Sequence, residues 1–456
     1  MSNSLSIAER IASWSSALDL DAVPEDVRKA ANRCIIDLIG VAIAGASCHQ
    51  SRRVFDYARQ AYAPGSATTF DFSKRLSPVG AALVNANAGH ALDFDDTSYT
   101  GIMHGSTVVL PAALAAAESV EADGCRLLEA FIAGSEVSYG VALLCTDSHY
   151  HKGWWSTATF GVFGAAAAAA RAMQLSESQT TAAVALAGVQ ANGLKVAFGT
   201  DAKSYLAGRA AAIGVEVAIL ASNGHSGPPT VMEDGRGFIQ VLNDGVVNND
   251  GIDKLGIDWR LVSPGIFFKQ YPVCSAAHAA VELTQLLLRE NELQSENIEK
   301  VVCSVPPLVA ASLVFDKPGN TQEAQFSMPF AVGTMLACGK LAIENLTDEA
   351  LSDARIQTEM SKVHMCRVDS LADAESPECA RISILTSDGR ELTGFLGAPT
   401  GMPANPISDE LLHDKFLHCM SFAGLQCKQS TNLLKRLTTI ESLKSGLFNK
   451  GIETND

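Results

Sequence analysis

The sequence predicts a mainly α protein, with a large all-helical domain and a smaller α+β domain. Three observations support this prediction. Apolar side chains recur at spacings of three and four through the first half of the chain, as they do in helices. A passage rich in Gly, Pro and Asn, NGHSGPPTVMEDGRG (223–237), breaks that pattern, and beyond Pro264 some segments alternate in the way that strands do. The tail after Pro406 returns to helical spacing, and we expect it to pack back on the first domain.

Four segments of the first half carry the clearest helical pattern. They are DAVPEDVRKAANRCIIDLIGVAIAG, LLEAFIAGSEVSYGVALLC, SESQTTAAVALAGVQANG and GRAAAIGVEVAILASNG. Gly45, Gly193 and Gly224 stand where these segments finish, and glycine is the residue that most often follows a helix end. We therefore predict helix termini at these three glycines.

The α+β domain begins with a predicted helix, AAHAAVELTQLLLREN. The segments NIEKVVCSVPPLV and ECARISILTSDGRELTGFLG then alternate as strands do, and the DG pair in the second predicts a tight turn. The pattern predicts an all-helical domain over residues 1–263 and 398–456, and an α+β domain over residues 264–397.

Composition and charge limit the classes of function. The chain has 456 residues, of which 47% are hydrophobic and 18% charged, and a net charge of -16, which argues against nucleic acid and anionic membranes as partners. Its 11 cysteines show neither CxxC pairs nor zinc-ligand spacing, so we expect reduced thiols in a cytoplasmic protein. The N-terminal segment lacks the apolar core of a signal peptide, and we expect no membrane span.

One short passage, HALDFDDTSYTGIMHGSTVVLP, concentrates carboxylates, histidines and a threonine. The Ala-rich, Pro-free residues Asn85–Thr97 predict a helix, which would place Asp93 and Thr97 one turn apart on one face. His90 and Asp96 would flank them. Thr100 and Gly101 weaken any continuation of this helix, so His104 is expected on a loop just beyond it, where free backbone amides can bind anions.

The neighbours of these polar residues are apolar, as Leu92, Phe94 and the run VVLPAALAAA show. A solvated helix end with capping aspartates is the alternative interpretation. We favour a buried functional site, because buried carboxylates and imidazoles must find partners or shift their pKa values. His104 is the first candidate for a catalytic base, since imidazole titrates near neutral pH; the alternative is a hydrogen-bonded loop histidine.

A series of motifs extends over nearly the whole chain: HALDFDDT with a following His-x-Ser, PAALAAAE, STATFGVFGAAAAAAR, KSYLAGRAAAIG, FKQYPVCSAAH, FSMPFAV and NPISDELLHDKF. In this order they resemble the MmgE/PrpD family, which includes 2-methylcitrate dehydratase, cis-aconitate decarboxylase and iminodisuccinate epimerase. The resemblance implies a large all-helical domain, an α+β lid domain and a homodimer without metal or cofactor. It also implies an active site between the two domains.

Carried onto this sequence, the family's site pattern falls on Asp93, Thr97, His104, Lys203, Lys269 and His278. Removing a proton from carbon next to a carboxylate needs a base and cations that stabilise the intermediate. Lys203 and Lys269 are the expected cations; a surface lysine is the alternative for each and fits Lys203 better. Asp93 is expected to orient a histidine or bind a substrate hydroxyl. His278 is either a second proton carrier or a hydrogen-bond partner.

Four positions depart from the family pattern. Trp155 replaces a histidine, Phe330 a tyrosine, Leu206 a histidine and Ser275 an arginine. Two proton donors are therefore missing, and His149 or His151 would have to substitute for one in space. We expect the substrate-binding positions to be Thr97, Asp96, His90, Trp155 and Phe330.

These departures favour a reaction without a leaving group. Dehydration and decarboxylation both depend on well-placed acids. Epimerisation has no leaving group and needs proton exchange on two faces of one carbon together with carboxylate clamps, a smaller demand that His104, Lys203, Lys269 and His278 could meet. The sequence therefore favours an epimerase of a small dicarboxylate such as iminodisuccinate. A dehydratase of a 2-methylcitrate-like substrate is the alternative, followed by a cis-aconitate-type decarboxylase and by an inactive protein that binds polycarboxylates.

Overall fold

The computed structural model describes residues 5–145, 148–371, 377–445 and 447–448. The protein is mainly α, as predicted. The α-helices of the first half are α1 Ile7–Ser16, α2 Glu25–Ala46, α3 His49–Ala61, α4 Pro78–Ala91, α5 Gly105–Ser119, α6 Gly124–Cys145, α7 Ser148–His151, α8 Ser156–Thr159, α9 Gly161–Ala172, α10 Glu177–Gly188, α11 Ala202–Ser222, α12 Phe238–Asn243 and α13 Asp250–Asp253.

The second half contains α14 His278–Glu290, α15 Pro307–Ser312, α16 Thr321–Ala324, α17 Met328–Cys338, α18 Asp348–Ser352, α19 Ala354–Lys362, α20 Asp409–Phe422 and α21 Cys427–Thr438. The strands found in the described residues are β1 Pro64–Thr68, β2 Arg75–Leu76, β3 Ile298–Val305, β4 Val363–Arg367, β5 Ala380–Thr386 and β6 Glu391–Leu396.

Most of the buried hydrophobic side chains belong to two large cores. The first takes its buried side chains from positions 7–268 and 407–448, which we call the body, and the second from positions 273–384, which we call the lid. The tail packs back on the body as predicted, because the Phe416 ring lies against Gly40 of α2.

The body is mainly helical, in agreement with the predicted fold class, but it also contains one pair of short strands that was not predicted. β1 and β2 form an antiparallel ribbon with an irregular register between Pro64 and Ala67. A two-residue strand such as β2 is too short to show an alternating pattern, so the sequence carried no signal for it.

Of the three glycines at which a helix end was predicted, only Gly224 directly follows the end of a helix in the expected conformation. Gly224 follows α11 in a left-handed conformation (φ 86°), as expected of a glycine beyond a helix end. Gly45 instead lies within the last turn of α2, where a Cβ atom would lie 2.0 Å from the Ala88 carbonyl oxygen of α4. Gly193 lies five residues beyond Gly188, the last residue of α10. Close helix contact, rather than helix termination, explains Gly45.

The lid contains a four-stranded sheet in the order β4-β3-β5-β6. β3 pairs in parallel with β4 and antiparallel with β5, and β5 and β6 form an antiparallel hairpin. The predicted DG turn connects these last two strands, with Gly389 at φ 83°. Helices α14 and α17 pack against the sheet and supply much of the second core.

Two helices, Gly124–Cys145 and Ala202–Ser222, are long and apolar enough to cross a membrane by length and composition. Both segments were predicted as helices but not as candidate membrane spans. In the most apolar 18-residue stretch of each helix, 89% and 67% respectively is buried inside the protein. Their apolar side chains are therefore used in helix packing within the body.

Candidate active site

The acidic passage of the sequence forms a loop between α4 and α5. The predicted helix over 85–97 is wrong beyond Ala91, where α4 ends. Asp93 has a left-handed backbone (φ 47°), a conformation that aspartate adopts more readily than most residues and that a helix cannot contain. Asp93 and Thr97 therefore do not share a helix face, and loop geometry sets the direction of each side chain.

Asp93 joins the two predicted cations. Lys203 Nζ lies 2.7 Å from Asp93 Oδ1, and Lys269 Nζ lies 3.1 Å from Asp93 Oδ2. Lys269 also donates a hydrogen bond of 2.7 Å to the Asp93 carbonyl oxygen. Lys203 stands in the first turn of α11, whereas Lys269 lies in the segment that leads from body to lid. All three residues are buried, which rules out the surface alternative for both lysines.

Opposite charges stabilise this buried group. Burial by itself would raise the pKa of Asp93, but the Lys203 and Lys269 ammonium groups outweigh it and hold that pKa below its usual range. Burial lowers the pKa of Lys269, and the Asp93 and Asp95 carboxylates together more than compensate, so the net direction is upward. Asp93 is thus a carboxylate and Lys269 an ammonium at neutral pH.

A second carboxylate, Asp95, connects two imidazoles. Its Oδ2 atom lies 2.9 Å from His90 Nδ1 and 3.3 Å from His104 Nδ1. The two rings are 4.6 Å apart between centroids, and the Nε2 atom of each lies 4.0 Å from Asp93 Oδ1. Asp95 was not among the predicted site residues, because in a loop the spacing from His90 gives no indication that the two side chains meet.

The tautomer of neutral His104 follows from its partners. His104 Nδ1 lies 2.9 Å from the Asp96 carbonyl oxygen, and a carbonyl can only accept, so the hydrogen is on Nδ1. The Nε2 lone pair is then free to accept a proton. The His104 side chain keeps 13% of its surface exposed, whereas the His90 side chain is fully buried. His104 is therefore the imidazole of this pair that can exchange protons with a bound molecule.

His90 has a supporting position. Burial, the largest influence, lowers the pKa of His90 to about 4, although the Asp95 carboxylate acts in the opposite direction. The imidazole is therefore neutral at physiological pH. It contacts Asp95 on one side and the Trp155 ring on the other, at 5.3 Å between centroids.

Aromatic rings surround the Lys203 ammonium. Its Nζ atom lies 4.9 Å from the Phe326 ring centroid, 5.2 Å from Phe198 and 5.7 Å from Trp155. Phe326 belongs to the lid, and the other two rings belong to the body. The Trp155 ring is thus part of the site, because it lies beside both Lys203 and His90. Phe198 and Phe326 were not among the predicted site residues.

Three of the predicted positions lie at or beyond the edge of this group. Asp96 turns toward α5, where Ser106 Oγ donates a 2.5 Å hydrogen bond to its Oδ2, and burial raises the pKa of Asp96 to about 7. Thr97 exchanges backbone hydrogen bonds with Phe267, and its hydroxyl donates to the Met103 carbonyl oxygen. Phe330 is fully buried in the core of the lid. These positions support the loop and the domains around the Asp93 group.

The three other histidines considered from the sequence, His278, His149 and His151, do not join this group. The His278 ring is buried between Phe267 and Tyr271, with centroids 5.3 and 5.1 Å away, and burial lowers its pKa to about 3. His149 uses its ring nitrogens on Thr159 and on the Leu242 carbonyl oxygen. His151 is exposed. Leu206 is half-buried and carries no polar group. None of these three histidines therefore replaces the side chains that are missing at Trp155, Phe330, Leu206 and Ser275.

Four side chains could supply ligand atoms to a metal ion. These atoms of His90, Asp93, Asp95 and His104 all lie within 4.8 Å of one another. However, Asp93 already contacts two ammonium groups, and a divalent cation there would be repelled by both. The arrangement fits the binding of an anion and the transfer of a proton better than it fits a metal centre.

Comparison with known proteins gives matches over almost the whole chain. The model of the MmgE/PrpD N-terminal domain matches residues 9–249, and that of the MmgE/PrpD C-terminal domain matches residues 271–437. The chain is 26% identical over 456 residues to a cis-aconitate decarboxylase of Mus musculus, covering 96% of this chain and 91% of that protein. The corresponding protein of Homo sapiens is 27% identical over 90% and 87% of the two chains, and that of Aspergillus terreus is 24% identical over 89% and 88%.

Proposed function

Because this chain belongs to the MmgE/PrpD family, we propose that it is a cofactor-independent lyase that acts on a small di- or tricarboxylate. The family and the relatives support an enzyme for a carboxylate substrate and, at a coarse level, a lyase. One observation carries the proposal: the buried Lys203–Asp93–Lys269 group lies directly beside the exchangeable His104 imidazole.

The charge of this group suits a carboxylate. Two ammonium groups share the Asp93 carboxylate, so Lys203, Asp93 and Lys269 together carry one excess positive charge. The neighbouring Asp95 carboxylate balances this charge while His90 and His104 are neutral, and a protonated His104 restores the excess. Each ammonium has three N–H donors, and those not used on Asp93 can bind substrate oxygens. In a site of low dielectric such charge-assisted hydrogen bonds are strong, so Lys203 and Lys269 are proposed to hold the substrate carboxylate next to the reacting carbon.

His104 is proposed to move the proton. In a decarboxylation, the bond between carbon and the departing carboxylate breaks, carbon dioxide leaves and the electron pair stays on the substrate. The ammonium groups stabilise the resulting negative charge, and protonated His104 delivers its Nε2 proton to carbon. The imidazole then takes a new proton from water at its exposed edge. In a dehydration, neutral His104 would remove the proton from carbon and return it to the leaving hydroxyl.

The second candidate is the epimerase favoured by the sequence. The absence of a histidine at Trp155 and of a tyrosine hydroxyl at Phe330 supports it, because these changes remove proton donors. Epimerisation, however, needs proton transfer on both faces of one carbon. Among the described histidines near Asp93, His90 and His278 are fully buried and have lowered pKa values, which supports a site with one exchanging group.

The reaction can be identified by incubating the protein in deuterated water with cis-aconitate, 2-methylcitrate, citrate and iminodisuccinate. Release of carbon dioxide with deuterium incorporation into the product, or loss of water from the substrate, would support the lyase. Exchange of the substrate proton without either product would support the epimerase. Thermal stabilisation by these ligands without exchange or product would contradict both and indicate a binding protein.

Matched lysine variants test the role of the charged group. Lys203→Met and Lys269→Met should each abolish turnover and weaken polycarboxylate binding, whereas Lys428→Met, which changes an exposed lysine of α21, should leave both unchanged. Unchanged affinity in both site variants would refute the proposed carboxylate clamp.

We further propose that the protein works in the cytoplasm as a homodimer, as the resemblance implies. Light scattering of the purified protein should give twice the 48.0 kDa chain mass. A monomer at micromolar concentration would contradict this part of the proposal.

A further inference from the structure

A cavity in the body lies apart from the candidate active site and has no role in the mechanism above. It encloses about 570 Å³, within the range of roughly 300–1,000 Å³ that small-molecule sites commonly have. Helices α2, α3 and α4, the loop between β1 and β2, and the turn from α20 into α21 surround it. Asp93, His104, Lys203 and Lys269 do not line it, so it is separate from the charged group of the site.

Hydrogen bonds fix the walls of this cavity. Asn85 of α4 accepts a 2.9 Å hydrogen bond from the Phe70 N–H group and donates a 2.8 Å bond to the Thr68 carbonyl oxygen. Both atoms of its amide therefore hold the end of β1 and the following loop against α4. Ser51 Oγ of α3 accepts a 3.2 Å bond from Asn87 Nδ2 of α4. Three parts of the wall are thus joined before any ligand enters.

Three phenyl rings supply the apolar part of the wall. Phe55 belongs to α3, and Phe70 and Phe72 belong to the loop between β1 and β2. Phe448 packs on the last two rings, at 5.8 Å between centroids in each case. Phe55 and Phe72 are nevertheless only half-buried, and covering the rest of an aromatic ring is favourable. This part of the cavity therefore suits an apolar or aromatic group.

Arg52 of α3 is the charged residue of the wall that lacks a partner. Two acidic residues also line the cavity, but both are engaged. Asp71 accepts hydrogen bonds from two hydroxyl groups of its own loop, and Asp56 lies 3.6 Å from Arg59. Arg52 is exposed and forms no ion pair within the described part of the chain. The charge that remains available to a ligand is therefore positive.

We propose that this cavity is a binding site for an amphipathic organic anion, a small molecule with an apolar or aromatic body and one carboxylate or sulfonate group. The body of the ligand lies against Phe55, Phe70 and Phe72, and its anionic group accepts hydrogen bonds from the Arg52 guanidinium, whose planar donors match such oxygens in pairs. This ligand differs in class from the proposed substrate, because the cavity offers aromatic rings and one arginine where the candidate active site offers two buried ammonium groups.

The test uses anilinonaphthalene sulfonate, an aromatic anion, titrated into the whole protein by calorimetry. Wild-type protein should bind one molecule per chain. Arg52→Gln should weaken binding about tenfold, because charge-assisted hydrogen bonds are lost, and Ala46→Trp, which places a large ring on the cavity wall, should abolish it. Arg53→Gln is the matched control. Arg53 is the next residue of α3, but it pairs with Asp201 at 3.2 Å and does not line the cavity, so this variant should bind as wild type does.

Competition and light scattering identify the other possible occupants. Saturating tricarballylate should not displace the probe; displacement, together with unchanged binding by Arg52→Gln, would place the probe at the lysines of the candidate active site and refute the inference. Equal affinity in all variants, or no binding by wild-type protein, would refute it as well. If wild-type protein binds no probe and Ala46→Trp converts a dimer into a monomer, a second copy of the chain covers the cavity and the inference is wrong. The lyase proposal is tested separately, by its products.

Discussion

Replacement of Lys415 by Met is expected to destabilise the protein and disturb the candidate site, although Lys415 lies on the tail helix α20. Its Nζ atom lies 2.7 Å from Asp37 Oδ1 and donates a 2.8 Å hydrogen bond to the Phe94 carbonyl oxygen. The ammonium also stands 4.0 Å from the centroid of the Phe94 ring. Phe94 lies between the two site carboxylates, Asp93 and Asp95, so Lys415 fixes the loop that carries both.

The expected loss follows from the burial of this pair. The Lys415 and Asp37 side chains are 5% and 0% exposed, and removing one partner of a buried ion pair costs about 3–5 kcal/mol. Methionine keeps the apolar part of the side chain, so the loss comes from the charge and the hydrogen bonds. We therefore expect a free energy of unfolding about 4 kcal/mol lower, a large share of the roughly 5–15 kcal/mol typical of a folded domain.

The sign of the pH dependence provides a further check. Burial raises the pKa of Asp37 and Lys415 lowers it, so the variant should raise this pKa further. A carboxyl whose folded pKa is raised stabilises the protein at low pH and loses that contribution as the pH rises through the folded pKa. The deficit of Lys415→Met should thus be smaller at about pH 5 than at about pH 8.

Urea denaturation at both pH values, together with turnover of the identified substrate, measures these effects. The double variant Asp37→Asn/Lys415→Met should recover most of the lost stability, because it leaves no buried charge, but should not recover full activity, because the bond to Phe94 is still missing. Lys428→Met controls for the loss of a surface lysine. A Lys415→Met protein within about 1 kcal/mol of wild type and fully active would refute the reasoning.

Three further predictions concern the site. Asp93→Asn removes the carboxylate shared by two ammonium groups, so polycarboxylates should bind about tenfold more tightly while turnover falls about 100-fold. Calorimetry would measure the affinity and product assays the turnover. Weaker binding of polycarboxylates would contradict the charge argument. Trp155→His places an imidazole beside His90 and Lys203, and lyase turnover should rise at least about tenfold; no gain would mean that a missing acid does not limit the rate. Because the pKa of Asp96 is raised to about 7, the free energy of unfolding should fall as the pH rises from about 4 to about 7, and Asp96→Asn should remove this dependence. If urea denaturation gave the same pH dependence for the variant and the wild-type protein, the assignment would be wrong.

Local sequence pattern predicted the larger elements of the fold. The β5–β6 hairpin and the helices α2, α6, α11 and α14 were identifiable because each buries a regularly spaced apolar face or contains a characteristic turn. The ribbon β1–β2 was missed because its strands are too short to show a period. The end of α4 was misplaced because the left-handed backbone of Asp93 is fixed by the lysines and the surrounding loop rather than by local propensity.

Residue types and order by themselves determined the fold class and the family, and they identified Lys269 as a cation that needs an anionic partner because its neighbours are aromatic. The burial of Lys203, for which the sequence favoured a surface position, was decided by the tertiary structure. Only the tertiary structure decided which groups meet. It brought Lys203 of α11 and Lys269 of the connecting segment to the same carboxylate, introduced Asp95 as the partner of two imidazoles, and turned Asp96 away from them. Such contacts depend on the packing of segments far apart in sequence, and in a loop no periodicity relates side-chain direction to residue spacing.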